Sequence, residues 1–166
     1  SVTRRGSPHA FDADGTTRID SAVPVFIGRV RLERVADENA PGNRWLFRGD
    51  AEADPAQVRF TAMTLGFGPD DRQFTLEGAG RLDLAGTPRF DAVLGARQAD
   101  LDRTLGEGAP VSLSAVLSRI GAASRNAPPI AGRIGLDLER MVLGGNLVDD
   151  VSLDVAWTGD TWRLTS

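Results

Sequence analysis

Residues 72–86 read RQFTLEGAGRLDLAG. Phe74, Leu76, Leu82 and Leu84 fall on one parity, and Thr75, Glu77, Arg81 and Asp83 on the other. A period of two is that of a β-strand, whose successive side chains point to opposite faces. One face of this segment is therefore apolar and the other wet. The next segment, PRFDAVLGAR (88–97), repeats the pattern with Phe90, Ala92, Leu94 and Ala96.

The same alternation recurs on both sides. Downstream lie IAGRIGLDLERMVL (130–143), NLVDDVSLDVAW (146–157) and DTWRLTS (160–166). Ile134, Leu136 and Leu138 share one parity, as do Val151, Leu153, Val155 and Trp157. LGGN and TGD between these runs are hairpin-like turns. Upstream lie VPVFIGRVRLERV (23–35), NRWLFRGDAEAD (43–54) and AQVRFTAMTLGF (56–67), the last two parted by Asp54-Pro55. Residues 1–20 are polar, with Gly, Pro and Asp, and read as a flexible tail.

The period changes after residue 99. Leu101 and Leu105 are four apart, Asp100 can cap and Gly106 can stop a short helix at about 100–106. Leu113, Val116, Leu117 and Ile120 fall at i, i+3, i+4 and i+7, the apolar stripe of an amphipathic helix at about 110–124. Pro110 suits its first turn. The chain is thus expected to be mainly β: a long curved antiparallel sheet, forming an open groove or half-barrel, with these two helices. Residues 21–166 are expected to make a single β-rich domain. The opening SVTRRGSPHAFDADG does not look like a native start, and the last strand runs to the final residue. Both suggest a part of a larger protein.

Three segments share Gly-Arg-aliphatic-x-Leu, starting at Gly28, Gly80 and Gly132, at intervals of 52 residues. A phosphate loop needs its glycines between a strand and a helix. Here each Gly is read as opening an alternating strand, which leaves two readings: relaxation of a strand at a bend, or a repeated supersecondary unit.

The 166 residues carry a formal charge of −4, and every basic residue but His9 is Arg. A slightly acidic surface argues against nucleic-acid binding, which needs a basic face. There is no Cys, so thiol catalysis and cysteine-held clusters are excluded. No apolar run approaches the roughly 20 residues that span a bilayer.

Candidate chemistry is sparse. DADGT (12–16) resembles part of a calcium loop, but Gly15 falls at position 4 where the loop wants its glycine at 6, so a polar turn is the plainer reading. Asp149-Asp150 reads as the start of a strand. A hydrolytic triad would have to recruit His9 from the tail, and there is no G-x-S-x-G elbow. No catalytic residue, metal site or cofactor is called for. Trp45, Trp157 and Trp162 all lie in predicted strands, as core or as the lining of an apolar ligand site.

The second half carries a further pattern: PRFDAVLGARQADLDRTLGEG, a helix, then PPIAGRIGLDLERMVLGGNLVDDVSLDVAWTGDTWRLTS. It resembles the bacterial AsmA family, which has F-x-A-x-L strands leading into DLD, then G-x-I-x-L-x-[LVI]-x-x-L-x-L-x-G-x-x-[LV]-x-D-V and a closing strand with Trp. The likeness covers residues 72–166 well and 23–71 loosely. The membrane anchor and the further repeats of the family are missing from this sequence. The resemblance implies a non-enzymatic protein at the periplasmic face of the inner membrane of a Gram-negative bacterium, held by an anchor outside this sequence and involved in outer-membrane homeostasis. It implies phospholipids as partners, their acyl chains shielded in a hydrophobic β-groove. The groove residues would be Phe74, Leu76, Leu82, Leu84, Phe90, Leu94, Ile134, Leu136, Leu138, Val151, Leu153, Val155 and Trp157. A scaffold for outer-membrane protein assembly with no bound lipid is the alternative, and a hydrolase or sugar-binding β domain is a third.

Overall fold

The computed structural model describes residues 9–34, 44–69, 71–106, 108–116, 118, 130–159 and 161–165. Its strands are β1 (His9–Asp20), β2 (Val23–Arg34), β3 (Trp45–Ala53), β4 (Gln57–Phe67), β5 (Phe74–Asp83), β6 (Arg89–Asp100), β7 (Ala131–Leu143), β8 (Asn146–Thr158) and β9 (Thr161–Thr165). Helix α1 (Leu101–Gly106) lies between β6 and β7. All nine strands form one sheet in chain order, and it is open, not closed into a barrel. All but β9 have nine residues or more, against about 5–6 for an ordinary strand. The mainly β, open-sheet architecture is as the alternation implies.

Several expectations are corrected. Residues 9–20 are not a tail: β1 pairs with β2 along its whole length. Ser21 and Ala22, both at positive φ, make the two-residue turn between them, a geometry that usually draws Asn or Gly. DADGT is therefore mid-strand rather than a polar turn. The sheet is antiparallel except between β6 and β7, which run parallel. Parallel neighbours need a crossover, and residues 101–130 provide it. Asp149 and Asp150 lie inside β8, which starts at Asn146.

The crossover begins as expected. The Asp100 carboxylate accepts the Arg103 N–H at 2.8 Å, capping α1. The second helix starts later than Pro110: residues 113–116 are helical, and Ser112 caps them through the Ala115 N–H. Val116 is buried, but Leu113 is 55 % exposed and leaves the apolar stripe. Leu117 and Ile120 lie outside the described side chains.

Gly28 and Gly80 sit in mid-strand, and only Gly132 stands near a strand start. The 52-residue spacing is not a repeated unit. β2 and β5 run in opposite directions, and the two intervals contain different elements. What the glycines share is a face and close quarters. A Cβ on Gly28 would lie 2.6 Å from the Gly15 Cα across the hairpin, and one on Gly132 would lie 2.3 Å from the Trp157 ring. Both positions need a residue without a side chain.

Two irregularities shift the sequence parity of these long strands and so keep their apolar residues on one face. In β4 one extra residue is inserted between Phe60 and Met63, so Thr61 and Ala62 are both exposed while Phe60 and Met63 stay on one face. Further along the sheet β6, β7 and β8 change parity together. Ala96 and Ala99, Leu138 and Met141, and Val151 and Val148 bracket a row where direct pairing lapses, and Asp150 there has φ 53°. Ala96, Ala99, Leu138, Met141 and Val151 all join one core cluster.

Candidate functional site

Following partners from strand to strand gives continuous rows of inner-face residues. One runs Thr17, Phe26, Ala53, Val58, Leu82, Phe90, Gly132, Trp157, Trp162, from edge to edge. The next runs Gly15, Gly28, Ala51, Phe60, Gly80, Ala92, Ile134, Val155, Leu164. A third runs Ala13, Val30, Gly49, Met63, Gly78, Leu94, Leu136, Leu153. Every residue of these rows is apolar except Thr17. Leu76, paired with Leu65, and Leu138, paired with Val151, belong to the row after, and Phe74 pairs with Phe67. All the groove residues expected from sequence thus share one face, except Leu84, which lies just past the end of β5 in an exposed turn.

The opposite face is charged. Arg133 grips Asp154 through two hydrogen bonds, of 3.1 and 2.9 Å, and Arg89 reaches Asp91 at 3.0 Å. Arg81 and Asp83 pair at 3.0 Å, and Arg140 and Asp149 approach to 3.6 Å. The Arg133 guanidinium holds the Asp154 carboxyl below the usual carboxylate value, and Asp154 raises Arg133 in return. The three Gly-Arg motifs place their arginines, Arg29, Arg81 and Arg133, on this face opposite aspartates at Asp50, Asp91 and Asp154 respectively, or beside them.

Two neighbours on β6 measure the contrast: Leu94 is 2 % exposed and Val93 is 61 % exposed. Among the described residues no second sheet covers Leu94. Its shelter comes from side chains of its own sheet, among them Met63, Leu76, Ala92 and Leu138.

The apolar face is not uniform. From β4 to β8 it is filled: Met63, Leu76, Ala92, Leu94, Ala99 and Leu138 form a core, with Phe60, Leu65, Phe74, Phe90, Ile134, Leu136 and Val151 packed against it. Leu76, Leu94 and Leu138, expected to line a groove, are core. From β1 to β3 the inner residues are small at Ala13, Gly15, Gly28, Gly49, Ala51 and Ala53, and the whole inner face of β1 beyond residue 10 is exposed. At the other edge Trp157 and Trp162 stack at 5.3 Å, and the Trp157 Nε1–H donates to the Ile130 carbonyl at 2.7 Å.

One rim is closed by the crossover. Leu105, Val111 and Val116 form a second cluster with Phe67, Leu101 and Leu143. Asp102, 6 % exposed, ties it down. Its carboxylate accepts the N–H of Val111 (2.8 Å), Gly144 (2.9 Å) and Gly145 (2.7 Å). These backbone donors, Val111 foremost, hold its pKa below the ordinary value. Thr104 fastens the other side, its hydroxyl donating to the Arg72 carbonyl at 2.7 Å. Sequence reading takes Asp100 as the cap and DLD as a family mark, and misses the pin at Asp102. A short acid followed at a distance by Gly-Gly is too common a pattern to reveal it.

Fold and site together define a class: a single open β-sheet with one apolar and one charged face. Compared with family models, with curated proteins and with solved structures, the chain finds no match in any of the three.

Proposed function

We propose that this chain is a segment of an AsmA-like periplasmic protein that shields phospholipid acyl chains on its apolar face during envelope lipid transport, without catalysis. One observation carries the reading. Apolar residues from all nine strands lie on one face of an open sheet, and among the described residues no second sheet packs against it. Such a face is costly to leave wet, since each CH₂ removed from water contributes about 0.8 kcal/mol. An acyl chain laid on it gains that amount per methylene while its headgroup stays at the rim. Attachment to the inner membrane through an anchor outside this sequence belongs to the same proposal. Among the described residues no helix is long and apolar enough to cross a membrane.

The filled stretch from β4 to β8 favours a second reading, a scaffold domain with no lipid in outer-membrane protein assembly. Native mass spectrometry of the purified chain, with titration of a fluorescent fatty acid, separates the two. The lipid reading expects co-purified phospholipid or saturable uptake of the probe. Protein that is lipid-free and takes up no probe leaves the scaffold.

A further inference from the structure

We infer that the lipid seat is the inner face of β1 and β2, not the β4–β8 stretch, and that it takes an anionic amphiphile whose headgroup meets Arg34. This rests on the acyl-shielding reading and locates it. The β4–β8 stretch has no room to offer, because its side chains already fill it: Met63, Leu76, Leu94 and Leu138 are all under a tenth exposed. On β1 and β2 the same rows carry Ala13, Gly15 and Gly28, and Phe11 and Ile19 stand 45 % and 71 % exposed, whereas on β3 Ala51 is already covered at 4 %. The Phe26 ring lies over Gly15 and Gly28, and the Phe47 and Phe60 rings close on Gly49. The result is a low apolar floor, open on the side of β1.

Charge chooses the occupant. Along β2 the inner face reads Phe26, Gly28, Val30, Leu32, Arg34, about 27 Å at 3.4 Å per residue. Arg34 is the one Arg, Asp or Glu at a paired inner-face position of the described strands. A cation ending an apolar strip matches a ligand with an anionic head and a long acyl tail lying along the strand. A guanidinium also recognises carboxylate and phosphate alike by paired N–H donors.

The test uses the whole 166-residue chain and two probes, a pyrene-labelled long-chain fatty acid and the matching alcohol. Wild type is expected to bind the acid about tenfold tighter, the size of one charge-assisted hydrogen bond. Arg34→Gln should abolish that preference and leave alcohol binding unchanged, and Arg34→Lys should restore most of it. Ala13→Trp and Thr17→Trp fill the seat from the exposed edge strand, where extra volume leaves the core intact. Each should weaken both probes, with the circular dichroism of wild type. Equal binding of acid and alcohol by wild type overturns the anionic headgroup. Wild-type affinity in both folded tryptophan variants overturns the seat while the groove reading stands. Failure of wild type to take up either probe removes the groove reading and this inference with it.

Discussion

Asp102 shows how much one side chain can organise. Three backbone N–H groups from two segments converge on its carboxylate. Because folding lowers its pKa from the ordinary 3.8, the stabilisation is complete above that value. It is lost as pH falls through the lower folded value. Asp54 and Asp154 are shifted the same way, so acid melting of wild type sums all three. Asp102→Asn should melt lower at neutral pH and lose less on acidification, read as melting temperature against pH; parallel curves would show that the charge is not what holds the crossover. Leu94 and Val93 offer a second test on adjacent residues. Leu94→Ala should cost about 2–5 kcal/mol in urea denaturation, as buried Leu truncations do. Val93→Ala, on the charged face, should stay within about 0.5 kcal/mol.

At the scale of the strand, parity is what matters. Thr61 is the extra residue that lets Phe60 and Met63 share a face. Deleting it would turn Val58 and Phe60 outward, since a one-residue slip reverses every side chain beyond it. Loss of a cooperative melting transition is expected, and a deletion variant with wild-type melting would show that β4 re-registers. Much of this was legible beforehand. β5, the first half of β6, β7 as far as Leu138 and β8 from Val151 on follow a plain period of two. β1 was not legible, because Phe11 and Ile19 are its only large apolar residues and its turn, Ser21-Ala22, carries no glycine or asparagine. Nor does periodicity encode strand direction, so the parallel β6–β7 pair was invisible. The filled and open halves of the inner face could not be told apart either. Hydrophobic patterning registers leucines and passes over Ala13, Gly15 and Gly28, whose smallness keeps the floor of β1 and β2 low.

For the whole molecule, the order of the strands sets how it comes together. Each of β2 to β6 pairs with its immediate predecessor across a loop, as do β8 and β9, so these joints close locally. Only the β6–β7 joint requires the long segment 101–130 to be closed first, at a higher entropic cost. The sheet is thus two zippers, β1–β6 and β7–β9, sewn along one seam. Leu94 faces Leu136 across that seam, and Asp102 pins the connection beside it. Damage at an outer strand frays the sheet from its end, whereas damage at the seam parts it into two pieces, each with a greasy face left bare.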